Sequence, residues 1–180
     1  MKNLILFLSV SLLFYYTSGS AFAIELMKSS ALNGKVTFEA PKELSPMSKE
    51  MLELKYPSSR RPTEVLSDST GGVSLAFNHL KSAATNEQVI EVHKNMSKAF
   101  HNMYPSASWF RDEVITKNGK NIMVLELITP AMNTKIHNIM YGLSVDDRLL
   151  LVAFNTTVEQ SEKWLSIGKK IMSSIEVESR

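Results

Sequence analysis

The sequence predicts an α+β fold, an α/β/α sandwich around a central and mainly antiparallel sheet. Three observations lead there. Four β-like runs follow one another over residues 109–155 with only short turns between them, and strands joined by tight turns pair antiparallel. Three segments carry apolar residues at spacings of three and four, so three amphipathic helices are at hand to cover the faces of that sheet. No repeat, low-complexity tract or long Pro/Gly/Ser linker divides the chain, and its length suits one domain with a real core.

The chain opens with the three parts of a secretory signal peptide, residues 1–23. Lys2 supplies the positive start. Residues 4–16 are apolar apart from Ser9 and Ser11. Ala21, Phe22 and Ala23 form a small-x-small site with cleavage after Ala23. The apolar run is shorter than the about 20 residues that span a bilayer, and an uncleaved anchor is the competing reading. No second long apolar run follows. Stable membrane insertion after cleavage is therefore not expected, and the expected location is periplasmic or secreted.

Residues 24–35 read as a frayed entry segment. Val36, Thr37, Phe38, Glu39 and Ala40 alternate as a strand that Pro41 stops. Ser45 and Pro46 can start a helix, with Pro at its first position; Met47, Met51 and Leu54 give it an apolar stripe, and residues 57–59 end it. Arg60, Arg61 and Pro62 turn the chain into a short strand at 64–67. Residues 68–72 are a turn cluster. Val73, Leu75 and Phe77 then alternate with Ser74, Ala76 and Asn78 as a half-buried strand.

Thr85 and Gln88 form a capping box. Behind it Val89, Val92, Met96, Ala99 or Phe100, and Met103 line one helical face, and Tyr104–Pro105 closes that helix. Residues 109–116 and 122–129 are partner strands across Asn118–Gly119, a pair suited to a type I′ turn. Residues 136–145 and 149–155 form a second pair across 146–148. The run Leu149, Leu150, Leu151, Val152, Ala153, Phe154 suits a central strand covered on both faces. Thr157 and Gln160 offer a second capping box. Trp164, Ile167, Ile171 and Ile175 recur at helical spacing, and Glu176 to Arg180 read as a mostly polar tail. One domain over residues 36–177, with a tail at 178–180, follows.

Charge and composition remove whole classes of function. The formal net charge is +2 at pH 7, and cleavage would remove Lys2. That balance gives no broad field for nucleic acid or anionic membrane. The absence of Cys removes disulfides, thiolate metal sites and a Cys nucleophile, and in an exported chain it points to a bacterial periplasm. The histidines His79, His93, His101 and His137 show no metal-ligand spacing: His93 and His101 stand eight apart, where two ligands on a helix stand four apart. A pairing of His79 with His137 in space is conceivable without being signalled. No Gly-x-Ser-x-Gly elbow and no phosphate loop is present. Asp112–Glu113 point to opposite faces of a strand, and Asp146–Asp147 sit in a turn. The methionines read as core filler. No catalytic residue, metal ligand or cofactor is expected.

One local charge feature remains. Lys55, Tyr56, Arg60 and Arg61 surround a Pro-bounded loop. Arginine can hold a carboxylate or a phosphate bidentately, and loops on rigid scaffolds often carry binding. These four residues are the candidate partner-binding site, against the alternative of a solvated loop.

Several pieces together carry a resemblance to a known family. They are the opening strand Val36–Ala40 ending in Pro41, Tyr56–Pro57 followed by Arg61–Pro62, and the strand from Val73 to His79 before a long helix ending at Tyr104–Pro105. The hairpin Lys117–Asn118–Gly119–Lys120, and a closing strand followed by a helix with Trp164 and the ending Ile171–Met172–Ser173–Ser174–Ile175, complete them. Over residues 36–177 the chain resembles the PsbP-like superfamily of periplasmic PsbP/DcrB-like proteins. The resemblance implies the α/β/α sandwich and a non-enzymatic role in binding or assembly, with a protein of the cell envelope as partner. The metal-linked role known in that family has no matching residues here. A periplasmic immunity or defence protein that binds a toxin or phage component, and a hydrolase with dispersed residues, are the competing readings.

Overall fold

A computed structural model describes residues 24–56 and 61–178. The expected signal peptide with its cleavage residue Ala23, and Arg60 of the candidate site, lie outside the described residues. Strands β1 (Met27–Ala31), β2 (Val36–Ala40) and β3 (Ser45–Pro46) lead to helix α1 (Lys49–Lys55). Then come β4 (Glu64–Ser67), β5 (Val73–Ala83), α2 (Val89–Met103), β6 (Ser108–Lys117), β7 (Lys120–Pro130), β8 (Lys135–Val145) and β9 (Arg148–Thr157). A 3-10 turn (Val158–Gln160), α3 (Ser161–Ser174) and β10 (Glu176–Val177) complete the chain.

Seven strands form one antiparallel sheet in the order β3-β4-β5-β9-β8-β7-β6. The second sheet is small, β1-β2-β10. Strand β9 is interior, as its apolar run predicts. On one face of the large sheet, α3 and the small sheet close a continuous core around Leu75, Phe154, Val152, Ile139 and Ile171. On the other face α1 covers Val65 and Ala76 beside Met47, and α2 covers Met123, Leu125 and Leu127. The expected sandwich is present.

The hairpin turns follow backbone sterics. Asn118 and Gly119 have φ of 51° and 73°, the left-handed pair of a type I′ turn. Asp146 and Asp147 take the same conformation, with φ of 51° and 54°; Asp tolerates it better than most non-glycine residues. The capping box of α2 forms: Thr85 N–H donates to Gln88 Oε1 at 2.8 Å, and Gln88 N–H to Thr85 Oγ1 at 3.4 Å.

Six local expectations are corrected. Residues 24–35 are not frayed, because Met27–Ala31 pair with β2 and Leu32 N–H donates to the Glu64 carboxylate at 2.8 Å. Ser45 and Pro46 do not start a helix. They pair with Ser67 and Leu66 at the sheet edge, where proline's missing donor costs least, and Ser48 caps α1 by accepting from Met51 N–H. The stripe on α1 shifts accordingly, so Leu54 is 79% exposed while Met51 and Leu52 pack. The box at Thr157 and Gln160 is not made: Thr157 gives no side-chain cap, and Gln160 Oε1 is buried without a partner. The tail after Ile175 is not free, because Glu176 and Val177 pair with Thr37 and Val36. On α2, Phe100 rather than Ala99 faces the sheet, and Met103 is 63% exposed.

Candidate functional site

Helix α1 is short, and Ser48 at its start with Lys55 in its last turn suits the helix dipole. Its end brings Lys55 and Tyr56 to the rim of a cleft of about 290 Å³. The floor comes from the sheet. Ser74, Asn155 and Asn138 stand side by side in register across β5, β9 and β8, on the face that α1 and α2 share. Thr157 and Ile136 extend the floor by one pair.

Each group has a definite surrounding. Lys55 is exposed along its stem, but its ammonium is drawn onto the main-chain carbonyl of Gly71. Partial burial there lowers its pKa, and the charge of Asp68 opposes that shift. Burial raises the pKa of the Tyr56 phenol, and the Ser74 hydroxyl beside it pulls it back in part. Arg61 Nε donates to the Tyr56 carbonyl at 2.7 Å, which ties Arg61 to Tyr56, although Arg61 itself does not line the cleft. Asn138 Nδ2 donates to the Leu127 carbonyl, Thr129 Oγ1 and the Ile136 carbonyl at 2.9–3.3 Å, so its amide oxygen is left to accept. Asn155 forms no hydrogen bond through its amide with the described residues around it. The structure thus brings Lys55, Tyr56 and Arg61 together.

Sequence reasoning missed the floor. Ser74, Asn138, Asn155 and Thr157 are polar positions inside apolar strands, and that was the available signal. Their convergence depends on the order β5-β9-β8, which the sequence does not state.

Two further polar clusters stand on the sheet. On the α2 side, Asp112 receives three partners from one helix row: His93 Nε2 at 2.7 Å, Ser97 Oγ at 2.7 Å and His101 Nε2 at 3.0 Å. Burial works to raise the Asp112 pKa, but the bonds from Ser97, His101 and His93 outweigh it and hold the carboxyl below its usual range. His101 also stacks on Trp109, with centroids 4.0 Å apart. Ser, His and carboxylate converge here, the set a hydrolase needs. The wiring differs from a triad, in which the serine donates to the histidine and the carboxylate orients the ring. Here Ser97 donates to the carboxylate.

On the α3 side, Glu126 is 2% and His137 3% exposed. Glu126 Oε1 receives His137 Nε2 at 2.9 Å and Lys169 Nζ at 3.0 Å, and Phe110 stacks on the imidazole. His79 and His137 do not meet: they align with Leu150 and Thr156 of β9, and His79 Nε2 lies 3.0 Å from the Val145 carbonyl. Among the described residues no group of three His, Cys, Asp or Glu side chains is placed to hold a metal ion. No helix among them is long and apolar enough to cross a membrane.

No protein-family model matches the chain, and no curated protein matches it in sequence. Solved structures do match. Cyanobacterial PsbP from Synechocystis sp. PCC 6803 superposes with a TM-score of 0.59 at 15% identity, over 89% of this chain and 96% of that one. The fold is PsbP-like. LpqN of Mycobacterium tuberculosis, described as involved in cell envelope biogenesis, superposes with a TM-score of 0.53 at 10% identity, over 80% of this chain and 83% of that one. In this PsbP-like sandwich the cleft at Lys55 opens on the face that carries α1 and α2.

Proposed function

We propose that this chain is an exported, non-enzymatic binding or assembly protein of the cell envelope, which acts through protein contacts at the α1 cleft. The observation that carries the reading is the cleft itself: Lys55 on its rim, with Arg61 bonded to the neighbouring Tyr56 carbonyl, beside a floor of hydroxyls and amides held on a rigid sheet. The signal-like leader and the envelope role stated for LpqN support the location. Tyr56 and Lys55 each have a structural tie, and Arg61 keeps guanidinium donors beyond its Nε contact, so Arg61 is the residue to probe.

The test is crosslinking in the native cells. A photo-crosslinking amino acid replaces Arg61, and a second replaces Lys98 on the outer side of α2 as a control. One envelope protein captured reproducibly from Arg61 and not from Lys98 is the expected result. Equal capture from both positions, or none from Arg61 in protein recovered from the envelope fraction, overturns the reading. Capture of a toxin or phage component in place of an envelope protein would make the chain a defence protein.

A further inference from the structure

Resting on the binding role assigned to the α1 cleft, we infer that the cleft recognises a carboxylate group on its partner. The argument starts from charge. The Lys55 ammonium lies against a neutral carbonyl, that of Gly71, and Asp68 acts on it only through space. Both Asp68 oxygens are occupied elsewhere, by Val73 N–H at 3.0 Å and Thr70 Oγ1 at 2.6 Å. No carboxylate of the described chain is therefore in hydrogen-bond contact with this ammonium. A partly buried cation beside neutral donors favours an anion, because charge-assisted hydrogen bonds are the strong ones where water is partly excluded.

The shape and the donor set narrow the anion. The floor is a flat strip of three in-register side chains, Ser74, Asn155 and Asn138, and the Asn155 amide is uncommitted within the described residues. A planar carboxylate lying on that strip takes one bond from the Asn155 amide and one from the ammonium. The Tyr56 and Ser74 hydroxyls close its edge. Arg61, held on the Tyr56 carbonyl outside the lining itself, adds its field from beside the cleft. A phosphate dianion calls for more cations than one ammonium and a neighbouring guanidinium, and for donors arranged in three dimensions. The cleft's size, about 290 Å³, suits a carboxyl with the residue that bears it. The group comes either from a chain terminus or from an Asp or Glu side chain, and recognition is the same chemistry in both.

The experiment uses the exported form of the chain, labelled with nitrogen-15, at pH 7 and low chloride. Four probes are titrated: tri-alanine with a free C-terminus, tri-alanine amide, acetyl-Ala-Glu-Ala-amide, and inorganic phosphate. Saturable shifts at the Asn155 and Asn138 side-chain amides with free tri-alanine or with the glutamate peptide, and none with tri-alanine amide, are expected. Which of the two acids binds tells terminus from side chain. Lys55→Met weakens that binding about tenfold or more, and Asn155→Ala does so with Lys55 in place, which keeps the test open if the first variant fails to fold. Binding of the neutral amide as tight as the acids, phosphate binding as tight as carboxylate, unchanged affinity in both variants, or no shift with either acid overturns the inference. A partner captured through Arg61 while both acids fail removes the carboxylate and leaves the binding role. Acids that bind while nothing is captured remove the envelope role and leave the site.

Discussion

The two faces of the large sheet are packed on different principles. On the α3 face one continuous core runs from Val36 and Phe38 of the small sheet through Leu75 and Phe154 to Ile171 and Ile175. Helix α3 comes so close that a Cβ on Gly168 would lie 2.2 Å from the Phe154 ring. On the opposite face the apolar contacts split into two clusters, one under α1 and one under α2. The strip Ser74–Asn155–Asn138 lies between them with no helix over it. A face sealed by one close-packed helix has no room for a ligand. A face shared by two helices that do not meet leaves a gap, and the sequence lines this gap with amides and hydroxyls rather than leucines. Burial of polar groups costs unless they are bonded; Ser74 is buried beside the Tyr56 phenol and Asn138 is bonded within the sheet, so among the described residues the Asn155 amide is the group of the strip left for water or a ligand.

Substitutions of matched kind on the two faces should break or sharpen this contrast. The largest effect is expected from Phe154→Ala, which removes a fully buried ring from the α3 core and should cost about 3–5 kcal/mol in urea unfolding. Gly168→Ala follows at about 1–3 kcal/mol, since the new methyl must displace that ring. Loss near zero for both would mean that α3 is not packed as described. Asp112→Asn ranks third. The Asp112 pKa is depressed in the folded chain, so its contribution is present above the ordinary carboxylate value and is lost as pH falls through the folded value. Near pH 7 the variant should lose about 1–2 kcal/mol. Below about pH 4 the gap to the parent should close; a gap that stays constant with pH would sink the hydrogen-bonded assignment. The smallest effect on stability belongs to Asn155→Ala, within about 0.5 kcal/mol, because its amide holds nothing in the described chain. A loss as large as that of Gly168→Ala would place Asn155 in the fold and not in a site.

What could be read from the sequence divides along similar lines. Hairpins and long helices were legible because their signals are local: Asn118–Gly119, the Thr85–Gln88 box, and the spacing Trp164, Ile167, Ile171. The alternation of β5 was legible too, but it was read as a half-buried strand, and Val73 to Phe77 are all buried because α1 covers Ala76 on the second face. Strand β1 was illegible because Lys28, Ser29 and Ser30 carry little β preference; pairing with β2 supplies what they lack. Strand β10 is only two residues long, too short for an alternation to show. The buried Glu126–His137 pair left no mark either, since each is one polar residue in an apolar run and only the alignment of β7 with β8 joins them. Of the candidate site, Lys55, Tyr56 and Arg61 were legible as a basic loop. The cleft floor awaited the strand order.

The small sheet carries a consequence in time. Strand β2 is flanked by β1 from the beginning of the domain and by β10 from its end, and it rests on α3. A chain emerging from the ribosome can form the β1–β2 hairpin early, but the helix and strand that dock it come from the far end of the domain. The first element of this domain is therefore among the last to be secured.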